Sequence, residues 1–547
     1  MTEDQLRELI GCLQGQEYAA ELEDGKIKIS ANIEAMDIVL WCSLSKYFPY
    51  EIPAVVIDKE SKQLLPKMPH VYTGNGLCIF DKSRVIPNFN EPCQLLLDTI
   101  NEAIELIRKG IKGENQLDYM DEFLEYWSTG AKCKAEMYVE QLATAKPLYW
   151  CFKKKGLIIC DSDTRLQEVS NAMDSKTIED DEIYQGILIP INGENIISIP
   201  KTDKDIIKMI EENSHYKKQY NSFMQKNIDK CSLVVFNLIS AEKNMLAGWI
   251  HFGPGVPKGS RRGHVNLIMA YGNSKQEGFP LHVENCHQNR LFTRGGDGME
   301  PVWKKVGIIG CGSVGSFVAD ALKTSGVEKF VLVDNEILGY ENIARHSSGY
   351  FWVGHYKTFA TGFDLQKWNS NIVYEPYNEN AHDFVEDHQE VINECDVLFV
   401  AVASVPVEHH INRLIIENKI TVPVVFIWVE PYSLGGHAIL VKEPQDLYRD
   451  VFDEDTLEYK NSIVQNGSDY LKREAGCQST YMPYSGFLLQ QFIYRVLEQI
   501  MSVCCRKRGN YRLTWCGRLS DAKQIGVEIC NEYKNVEDFS LITERID

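Results

Sequence analysis

The sequence has no apolar run near the roughly 18 residues that a membrane-spanning helix needs. Its first residues, MTEDQLRELIGCLQ, lack the basic start and apolar stretch of a secretory signal. Internal repeats and low-complexity tracts do not stand out either. These features argue against a membrane protein or a fibrous chain, and we expect a cytoplasmic protein.

The sequence is also short of positive charge. It has 57 basic against 77 acidic residues, a formal charge of −20 over 547 residues. Such a balance disfavours nonspecific binding to nucleic acid or to an anionic membrane, so we expect neither as a partner. The hydrophobic share of 44% is that of a globular protein with several buried cores.

The 16 cysteines do not include a pair of Cys-x-x-Cys elements, so the sequence pattern typical of a structural zinc site is absent. Without a secretory signal they are expected to be free thiols rather than a disulfide framework. No His-x-His element is present.

Three stretches differ in pattern, and together they predict a multidomain α/β protein. Residues 1–128 combine short alternating segments with a helical pattern from Leu95 to Ile107, which indicates an α+β domain. Residues 129–289 contain strand-like runs, a helix-like stretch and a basic loop, GPGVPKGSRRGH, which predict a middle α/β domain that serves as linker or docking domain. Residues 290–547 alternate strand and helix as in a doubly wound, Rossmann-like sheet.

The third stretch opens with a nucleotide-binding pattern, KKVGIIGCGSVGSFVADALKTSGVEKFVLVD. Gly310 permits a tight turn, Gly312 lets the backbone approach a nucleotide, and Gly315 lets the helix pack close to the strand. Asp334, at the end of the second strand, can accept hydrogen bonds from ribose hydroxyls. A dehydrogenase would use the same four residues, so the pattern alone leaves the nucleotide open.

The continuation, VDNEILGYENIARH, resembles the ThiF/MoeB and ubiquitin-activating superfamily over roughly residues 290–500. The resemblance implies ATP-dependent adenylation of a carboxylate. It places Asp334 on the ribose, Asn342 and Arg345 facing the ATP phosphates, and Lys357 on a phosphate. Fixed cations and amide donors would stabilise the charge of an adenylation transition state.

The sequence departs from that family at one position. Where an aspartate that helps to hold magnesium usually follows the strand DVLFVAVAS, this chain has Ala403 and Ser404. Magnesium is expected with ATP, but its protein ligand is unidentified, and we assign no metal residue; Glu408 and Asp396 are the substitutes nearby. The family also uses an upstream arginine, for which Arg290 and Arg294 are alternatives.

Thioester formation needs a thiol near the adenylate. Cys477, in REAGCQSTYMPYSG, follows the strand GGHAILV, and Lys472 and Arg473 beside it would favour a thiolate. Cys311, inside the Gly-rich turn, is expected to pack against the sheet instead. We therefore predict Cys477 as the first nucleophile.

The N-terminal stretch contains YFPYEIP, then the strand AVVI, then PHVYTGNGLCIF, and it resembles the ubiquitin-conjugating fold over about residues 1–128. The resemblance makes Cys78 the active-site cysteine. His70 stands where many conjugating enzymes have asparagine, and a histidine can stabilise an oxyanion or act as a base. The alternative is an inactive domain in which Cys78 is a packed thiol and which serves for binding.

The order of the domains, conjugating-like first and activating-like last, resembles fusion enzymes of bacterial CBASS anti-phage operons. That resemblance implies a cGAS-like nucleotidyltransferase as the donor of a C-terminal glycine, a target amine as acceptor, a separate JAB-type protease that reverses the linkage, and a homodimer. Activation of a sulfur carrier, conjugation of a small ubiquitin-like protein, and a non-catalytic scaffold are the alternatives.

Overall fold

A computed structural model describes most of the chain as two compact units. One unit comprises Met1–Leu166 and Glu179–Asn285, and the other comprises Gln167–Ile178 and Cys286–Asp547. The described residues are 3–72, 74–80, 85–115, 118–154, 156–174, 179, 182–196, 199–240, 244–296, 298–453, 455–456, 458–473, 480–502 and 506–546. Over these residues, no helix has both the length and the apolar character needed to cross a membrane.

The first unit begins with a four-stranded antiparallel meander in the order β1-β2-β3-β4 and four helices. Their bounds are α1 Glu3–Gly11, β1 Tyr18–Glu23, β2 Lys26–Ile33, β3 Met36–Ser43, β4 Ala54–Ile57, α2 Lys59–Leu64, α3 Pro92–Lys112 and α4 Tyr119–Gly130. Helix α3 begins with a proline, whose missing N–H would have no helical partner there, and ends at Gly113 with φ 73°. Residues three and four apart along it, such as Leu96, Ile100 and Ala103, are fully buried. The α+β prediction, including the helix over 95–107, is confirmed.

One cysteine pair is bonded, so the expectation of free thiols is wrong there. A disulfide joins Cys12, which follows α1, to Cys93 in the first turn of α3, with their Cα atoms 5.7 Å apart. The two cysteines meet because α1 and α3 pack against each other. Free thiols among the described residues include Cys42, Cys78, Cys311 and Cys395.

The rest of the first unit is a closed barrel of mixed strands in the order β10-β11-β5-β7-β6-β8-β9. Its elements are β5 Cys133–Tyr138, β6 Lys146–Lys153, β7 Gly156–Cys160, β8 Tyr184–Asn192, α6 Asp203–Asn213, α7 Lys217–Lys226, β9 Ser232–Ile239, β10 Asn244–His251, α8 Leu267–Gly272 and β11 Phe279–Asn285. Helix α5, Asp163–Asp174, is divided between the two units after Leu166. Asp203 is fully buried, and its carboxylate accepts hydrogen bonds from Trp249 Nε1 at 2.7 Å and from the Gly278 amide at 2.9 Å. It also contacts His251 Nδ1 at 2.6 Å, so one carboxylate ties α6 to β10 and β11.

The second unit is built on an eight-stranded sheet in the order β14-β13-β12-β15-β16-β17-β20-β21. The first five strands of that order run parallel and the last three are added antiparallel. The elements are α9 Gln288–Gly295, β12 Lys305–Ile309, α10 Ser313–Thr324, β13 Lys329–Val333, α11 Lys357–Trp368, β14 Val373–Tyr377, α12 Ala381–Asp387, α13 Gln389–Asn393, β15 Val397–Val400, α14 Val405–Ile416, β16 Val424–Val429, β17 Gly435–Val441, α15 Leu447–Asp450, β18 Lys472–Arg473, β19 Thr480–Tyr481, α16 Gly486–Ser502, β20 Asn510–Cys516 and β21 Leu541–Ile546.

Helices cover both faces of this sheet. Helices α10, α11 and α16 bury apolar side chains in one core, and α12, α13 and α14 bury theirs in another. The apolar residues of strands β12, β13 and β15 are buried because helices cover both faces of these strands. The predicted doubly wound, Rossmann-like fold is confirmed. The parallel register brings the residues that follow β12, β13, β14 and β15 to one edge of the sheet.

Candidate functional site

The Gly-rich turn lies at this edge, and its three glycines meet different surroundings. A Cβ on Gly310, which has φ +90°, would lie 2.8 Å from the Ala401 carbonyl oxygen, and one on Gly315 would lie 1.8 Å from the Gly310 carbonyl oxygen. A Cβ on Gly312 would meet nothing within 4 Å. Two glycines are therefore required by the protein's own packing, whereas the space beside Gly312 is open for a ligand.

Asp334 connects the turn to the end of the second strand. Its carboxylate accepts hydrogen bonds from the backbone amides of Cys311 and Glu336, both at 2.8 Å. Burial raises the pKa of Asp334, while those amides and the charge of Lys357 act in the opposite direction. The carboxylate is thus fixed beside the turn, where the ribose of a nucleotide would lie.

Lys357 stands at the first position of α11 and is only 5% exposed. Its Nζ forms an ion pair with the carboxylate of Glu336, and its backbone N–H donates to the Glu336 carbonyl at 3.0 Å. A buried ammonium group needs such a partner because desolvation of an isolated charge is costly. Glu336 was not predicted, although it lies two residues after Asp334.

His346 was also missed, and it supports the turn directly. It is 6% exposed, and its Nε2 lies 2.8 Å from the Cys311 carbonyl oxygen while its Nδ1 accepts the Ser348 N–H at 3.0 Å. The Nε2 therefore carries the proton and donates to Cys311. Burial lowers the pKa of His346 to about 4, so the ring is neutral at pH 7. Cys311 itself is fully buried, as expected, and burial raises its pKa well above the usual range.

Asn342 and Arg345 lie in a short 3₁₀ helix, Tyr340–Arg345, between β13 and α11. The Asn342 side chain accepts the Gly339 N–H at 2.9 Å. The Arg345 guanidinium donates to the Met482 carbonyl at 3.0 Å and lies 4.8 Å above the Tyr484 ring. Arg345 is therefore held by the segment that leads into α16.

Cys477 lies outside the described residues. The residues on either side of 474–479 are described: Lys472 pairs with Tyr481 and Arg473 with Thr480 in the short β18–β19 ladder. Met482 and Tyr484, which hold Arg345, follow this ladder directly. The described neighbours of Cys477 thus come close to the predicted phosphate-binding arginine.

The magnesium position has no ligand among the described side chains. Ala403 ends the turn after β15 with φ +48° and offers no side-chain oxygen. Asp396 precedes β15 at the opposite end of the strand, where its carboxylate accepts the Lys304 and Lys305 amides at 2.6 and 2.9 Å. Over the described ranges, no three His, Cys, Asp or Glu side chains gather as metal ligands would. The residues present do not form a protein-built magnesium site.

Glu408 lies one helical turn beyond Ser404, which caps α14. It is 7% exposed, and burial raises its pKa from 4.5 to about 7, with the Ser404 backbone amide acting in the opposite direction. The carboxyl group therefore binds a proton far more readily than an exposed glutamate does.

The two upstream arginines, Arg290 and Arg294, are both exposed on α9. That helix is fixed by Gln288, whose side chain donates to the Gly326 carbonyl at 3.1 Å. The choice between the two arginines stays a prediction.

Cys78 lies in the first unit, at the end of a hairpin that is added to β4. The Leu77 N–H donates to the Val55 carbonyl, and the Cys78 N–H donates to the His70 carbonyl, both at 2.9 Å. Cys78 is half-buried, so solvent reaches this part of the hairpin. The main-chain bond places the two predicted residues, Cys78 and His70, opposite each other.

His70 has a charged neighbour that the sequence did not indicate. Its Nε2 lies 3.0 Å from the Asp118 carboxylate, immediately before α4. The same helix supplies Tyr126, whose hydroxyl accepts the Val71 N–H at 3.2 Å. Tyr126 of α4 therefore holds the hairpin, and Asp118 at the start of that helix holds the histidine.

Comparison with known families identifies both ends of the chain. Residues 297–504 match the ThiF family, and residues 14–135 match the prokaryotic E2 family B. The chain joins a prokaryotic E2 family B domain to a ThiF domain. The order of the E2 domain and the ThiF domain is the one predicted from the sequence.

Individual proteins resemble part of the chain. A stretch of 106 residues is 29% identical to the adenylyltransferase and sulfurtransferase MOCS3 of Xenopus laevis, and it covers 19% of this chain and 23% of that protein. Among solved structures, PaaA is 18% identical over 44% of this chain and 64% of its own, with a TM-score of 0.29. Escherichia coli MccB, solved with ATP, is 16% identical over 44% and 63%, with a TM-score of 0.27. The matched region thus spans less than a quarter of the curated relative and less than two thirds of either structure.

Proposed function

We propose that the chain uses ATP to activate the C-terminal carboxylate of a donor protein and passes the acyl group through two cysteines to a target amine. The observation that carries this proposal is the open space beside Gly312, in a turn where Asp334 holds the amide of the preceding residue, Cys311. The buried Lys357, paired with Glu336, adds a fixed cation whose charge acts on Asp334. A ThiF domain fused to an E2 domain supports both the activation and the transfer.

In the first step, a carboxylate oxygen of the donor attacks the α-phosphorus of ATP, and the bond to pyrophosphate breaks. Gly310, Gly312 and Gly315 shape the backbone around the nucleotide. Lys357 and Arg345 stabilise the charge that develops on the phosphates, with Asn342 as a further polar group. A cation already fixed in a buried position needs little reorganisation during the reaction, which favours Lys357 for this role.

In the next steps, the Cys477 thiolate attacks the acyl carbon and AMP leaves with the bonding electrons. The Cys78 thiolate then attacks the thioester carbonyl and releases Cys477. Finally an amine of the target attacks the carbonyl carbon of the Cys78 thioester, the C–S bond breaks and the Cys78 thiolate leaves. His70, held by Asp118, accepts the amine proton or stabilises the oxyanion. Two thiols on one chain exchange the acyl group at high effective concentration.

We also propose a specific donor and a protease that acts on its conjugate. The donor is a cGAS-like nucleotidyltransferase with a C-terminal glycine, and a separate JAB-type protease removes it from the target in an anti-phage defence operon. A small ubiquitin-like donor in another bacterial operon is the alternative. Magnesium accompanies ATP and is held chiefly by phosphates and water, because no described side chain is assigned to it.

A homodimer belongs to the same proposal. Tyr340, Tyr350 and Phe351, which follow β13 in the ThiF domain, are 67%, 69% and 79% exposed. Exposed aromatic side chains of this size are typical of interfaces, and a second copy would cover them. Sedimentation equilibrium of the wild type and of Phe351→Glu tests this: we expect a dimer and a monomer, respectively, and a monomeric wild type would contradict it.

The decisive experiment follows the acyl group. Candidate donors are incubated with ATP and the full chain, and each is compared with the same donor lacking its last glycine. We expect the wild type to form a donor adduct that a reducing agent removes. Cys477→Ala should keep donor-dependent pyrophosphate exchange and lose the adduct, whereas Cys78→Ala should keep the Cys477 adduct and lose transfer to the amine. If Cys477→Ala still charges Cys78 at the full rate, Cys477 is not the first nucleophile.

Activation of a sulfur carrier is the second candidate, favoured by the similarity to a protein named adenylyltransferase and sulfurtransferase. It would use the same adenylation residues but produce a donor thiocarboxylate. Mass spectrometry of the donor separates sulfur-carrier activation from conjugation. A thiocarboxylate makes the donor about 16 Da heavier, whereas conjugation links the donor to the target amine. Calorimetric titration with ATP and with NAD would reveal a dehydrogenase if NAD bound more tightly.

A further inference from the structure

Two segments of the barrel lie side by side and form a fixed surface. Helix α7 with the turn to Lys230 is one, and the loop over residues 253–264 is the other. The Gly255 N–H donates to the Ile228 carbonyl at 2.9 Å, and the Gln225 side chain exchanges two hydrogen bonds with the Val265 main chain, at 2.9 and 3.0 Å. The loop is thus tied to the end of α7 at both of its ends.

The two segments pack so closely at Gly253 that no side chain fits between them. A Cβ on Gly253 would lie 2.5 Å from the Lys230 nitrogen and 2.7 Å from the Ile228 carbonyl oxygen. Backbone therefore meets backbone where Gly253 approaches Ile228 and Lys230. The relative position of the two segments is set by these main-chain contacts rather than by the loop alone.

The charge of these segments is opposite to that of the chain as a whole. Residues 217–230 and 253–264 contain seven lysines and arginines and one acidic residue, Asp229, whereas the whole chain has 57 basic and 77 acidic residues. Five of the seven cations lie at the end of α7, on the turn after it or on the adjoining loop and are exposed, and we call them the basic surface: Lys226, Lys230, Lys258, Arg261 and Arg262.

Only one member of the basic surface is neutralised by an ion pair within the described part of the chain. Arg262 pairs with Asp229 at 2.6 Å and also donates to the Lys226 carbonyl at 3.3 Å, and it holds the pKa of Asp229 below its usual range. Lys226, Lys230, Lys258 and Arg261 form no ion pair with any described residue. Four exposed cations therefore lack an ion-pair partner within the described part of the chain.

We propose that the basic surface docks an acidic segment of a partner protein. This goes beyond the adenylation and transfer chemistry, which does not use these residues. Carboxylates can pair individually with separated ammonium and guanidinium groups, and complementary charge speeds encounter.

A protein fits this surface better than a nucleic acid does. Binding of single strands relies on aromatic rings that stack with bases, and the aromatic residues of the two segments do not offer them: Tyr220 is fully buried and Phe223 is half-buried. A long polyanion would also be repelled by the net charge of −20, whereas a short acidic segment contacts only the basic surface.

The test measures fluorescence anisotropy of a fluorescein-labelled octaglutamate peptide with the full chain at 25 and 150 mM NaCl. A labelled octathymidylate of equal length is titrated in parallel. We expect the wild type to bind octaglutamate more tightly than octathymidylate, with weaker binding at the higher salt concentration. Lys226→Glu/Lys230→Glu/Lys258→Glu should weaken octaglutamate binding at least about tenfold, because each replacement removes a cation and adds a repelling charge.

The matched control is Lys201→Glu/Lys208→Glu/Lys275→Glu, which changes the net charge equally at exposed positions of the same unit outside the basic surface. It should bind octaglutamate within about twofold of the wild type. Circular dichroism and ATP titration confirm that both variants are folded. Equal losses in the two variants, no octaglutamate binding by the wild type, or tighter binding of octathymidylate would each overturn the proposal.

Discussion

Two regions are organised by different means. One is the end of the parallel strands in the ThiF domain that carries the Gly-rich turn, residues 310–315, and Asp334, which we call the nucleotide edge. The other is the hairpin of the E2 domain that joins His70 to Cys78, which we call the Cys78 hairpin. At the nucleotide edge, side chains hold the turn: His346 and Lys357 are buried, and each contacts a specific polar partner. At the Cys78 hairpin, main-chain hydrogen bonds do most of the positioning, and the cysteine is half-buried. Replacing a side chain should therefore have larger effects at the nucleotide edge than around Cys78.

The largest expected effect is that of Lys357→Met. The replacement keeps the apolar part of the side chain but removes a buried cation proposed to face the phosphates. We expect donor-dependent pyrophosphate exchange to fall about 100- to 1000-fold, equivalent to about 3–4 kcal/mol. Lys367→Met, on the same helix α11, is the control and should retain the wild-type rate. A loss below about fivefold for Lys357→Met would remove the lysine from the proposed chemistry.

Glu408→Gln tests whether burial of the Glu408 carboxyl group destabilises the folded protein in a way that depends on pH. Because the pKa of Glu408 is raised in the folded protein, its contribution to stability is fully present below pH 4.5. It is lost as the pH rises through about 7. The rise from 4.5 to about 7 corresponds to about 3 kcal/mol.

Chemical denaturation at pH 4.5 and pH 8 measures this difference. The uncharged glutamine should stabilise the protein by about 3 kcal/mol at pH 8 and have little effect at pH 4.5. Glu417→Gln, at the exposed end of the same helix, should show no such gain. An equal effect of Glu408→Gln at both pH values would contradict the raised pKa.

A pair of glycine variants separates packing from ligand binding. Gly315→Ala places a methyl group 1.8 Å from the Gly310 carbonyl oxygen, so we expect a loss of about 2–3 kcal/mol in unfolding free energy. Gly312→Ala meets nothing within 4 Å and should fold normally, yet it should weaken ATP binding about tenfold by filling the open space. Thermal unfolding and ATP titration of both variants check this. Normal ATP affinity in Gly312→Ala would mean that the nucleotide lies elsewhere.

The smallest effect is expected at the E2 domain. Asp118→Asn keeps the shape of the side chain but removes the charge beside His70, so discharge of the Cys78 thioester to an amine should slow about five- to tenfold. Charging of Cys78 should not change. Asp98→Asn, on the exposed side of α3, serves as the control. A loss as large as that of Lys357→Met would reverse the comparison between the two regions.

The features that could be predicted from the sequence are those whose residues lie close together along the chain. Strand, Gly-rich turn, helix and Asp334 lie within one stretch of the chain, where the apolar period and the glycine spacing can be seen directly. The helix over Leu95–Ile107 was visible for the same reason. Residues whose partners are distant in sequence were not found: Asp118 is 48 residues from His70, and Met482 is 137 residues from Arg345.

The closed barrel and the disulfide escaped prediction for related reasons. Strand-like runs in the middle stretch were recognised, but their order mixes parallel and antiparallel neighbours: β7, for example, runs parallel to β5 and antiparallel to β6. Hydropathy patterns carry no information about which strands pair. Cys12 and Cys93 are 81 residues apart and meet only once α1 has packed against α3.

The eight-stranded sheet ends in two strands that differ in composition from its core. The outer strand β14 contains Pro376, which has no N–H to offer to another strand, and the opposite outer strand β21 carries Glu544 and Arg545 among its exposed residues. Open sheet edges can recruit strands from other chains and begin aggregation, and proline and charge on edge strands oppose this. A protein of this size must keep a wide sheet soluble while it folds, and both outer strands of this sheet carry residues that oppose pairing with a strand of another chain.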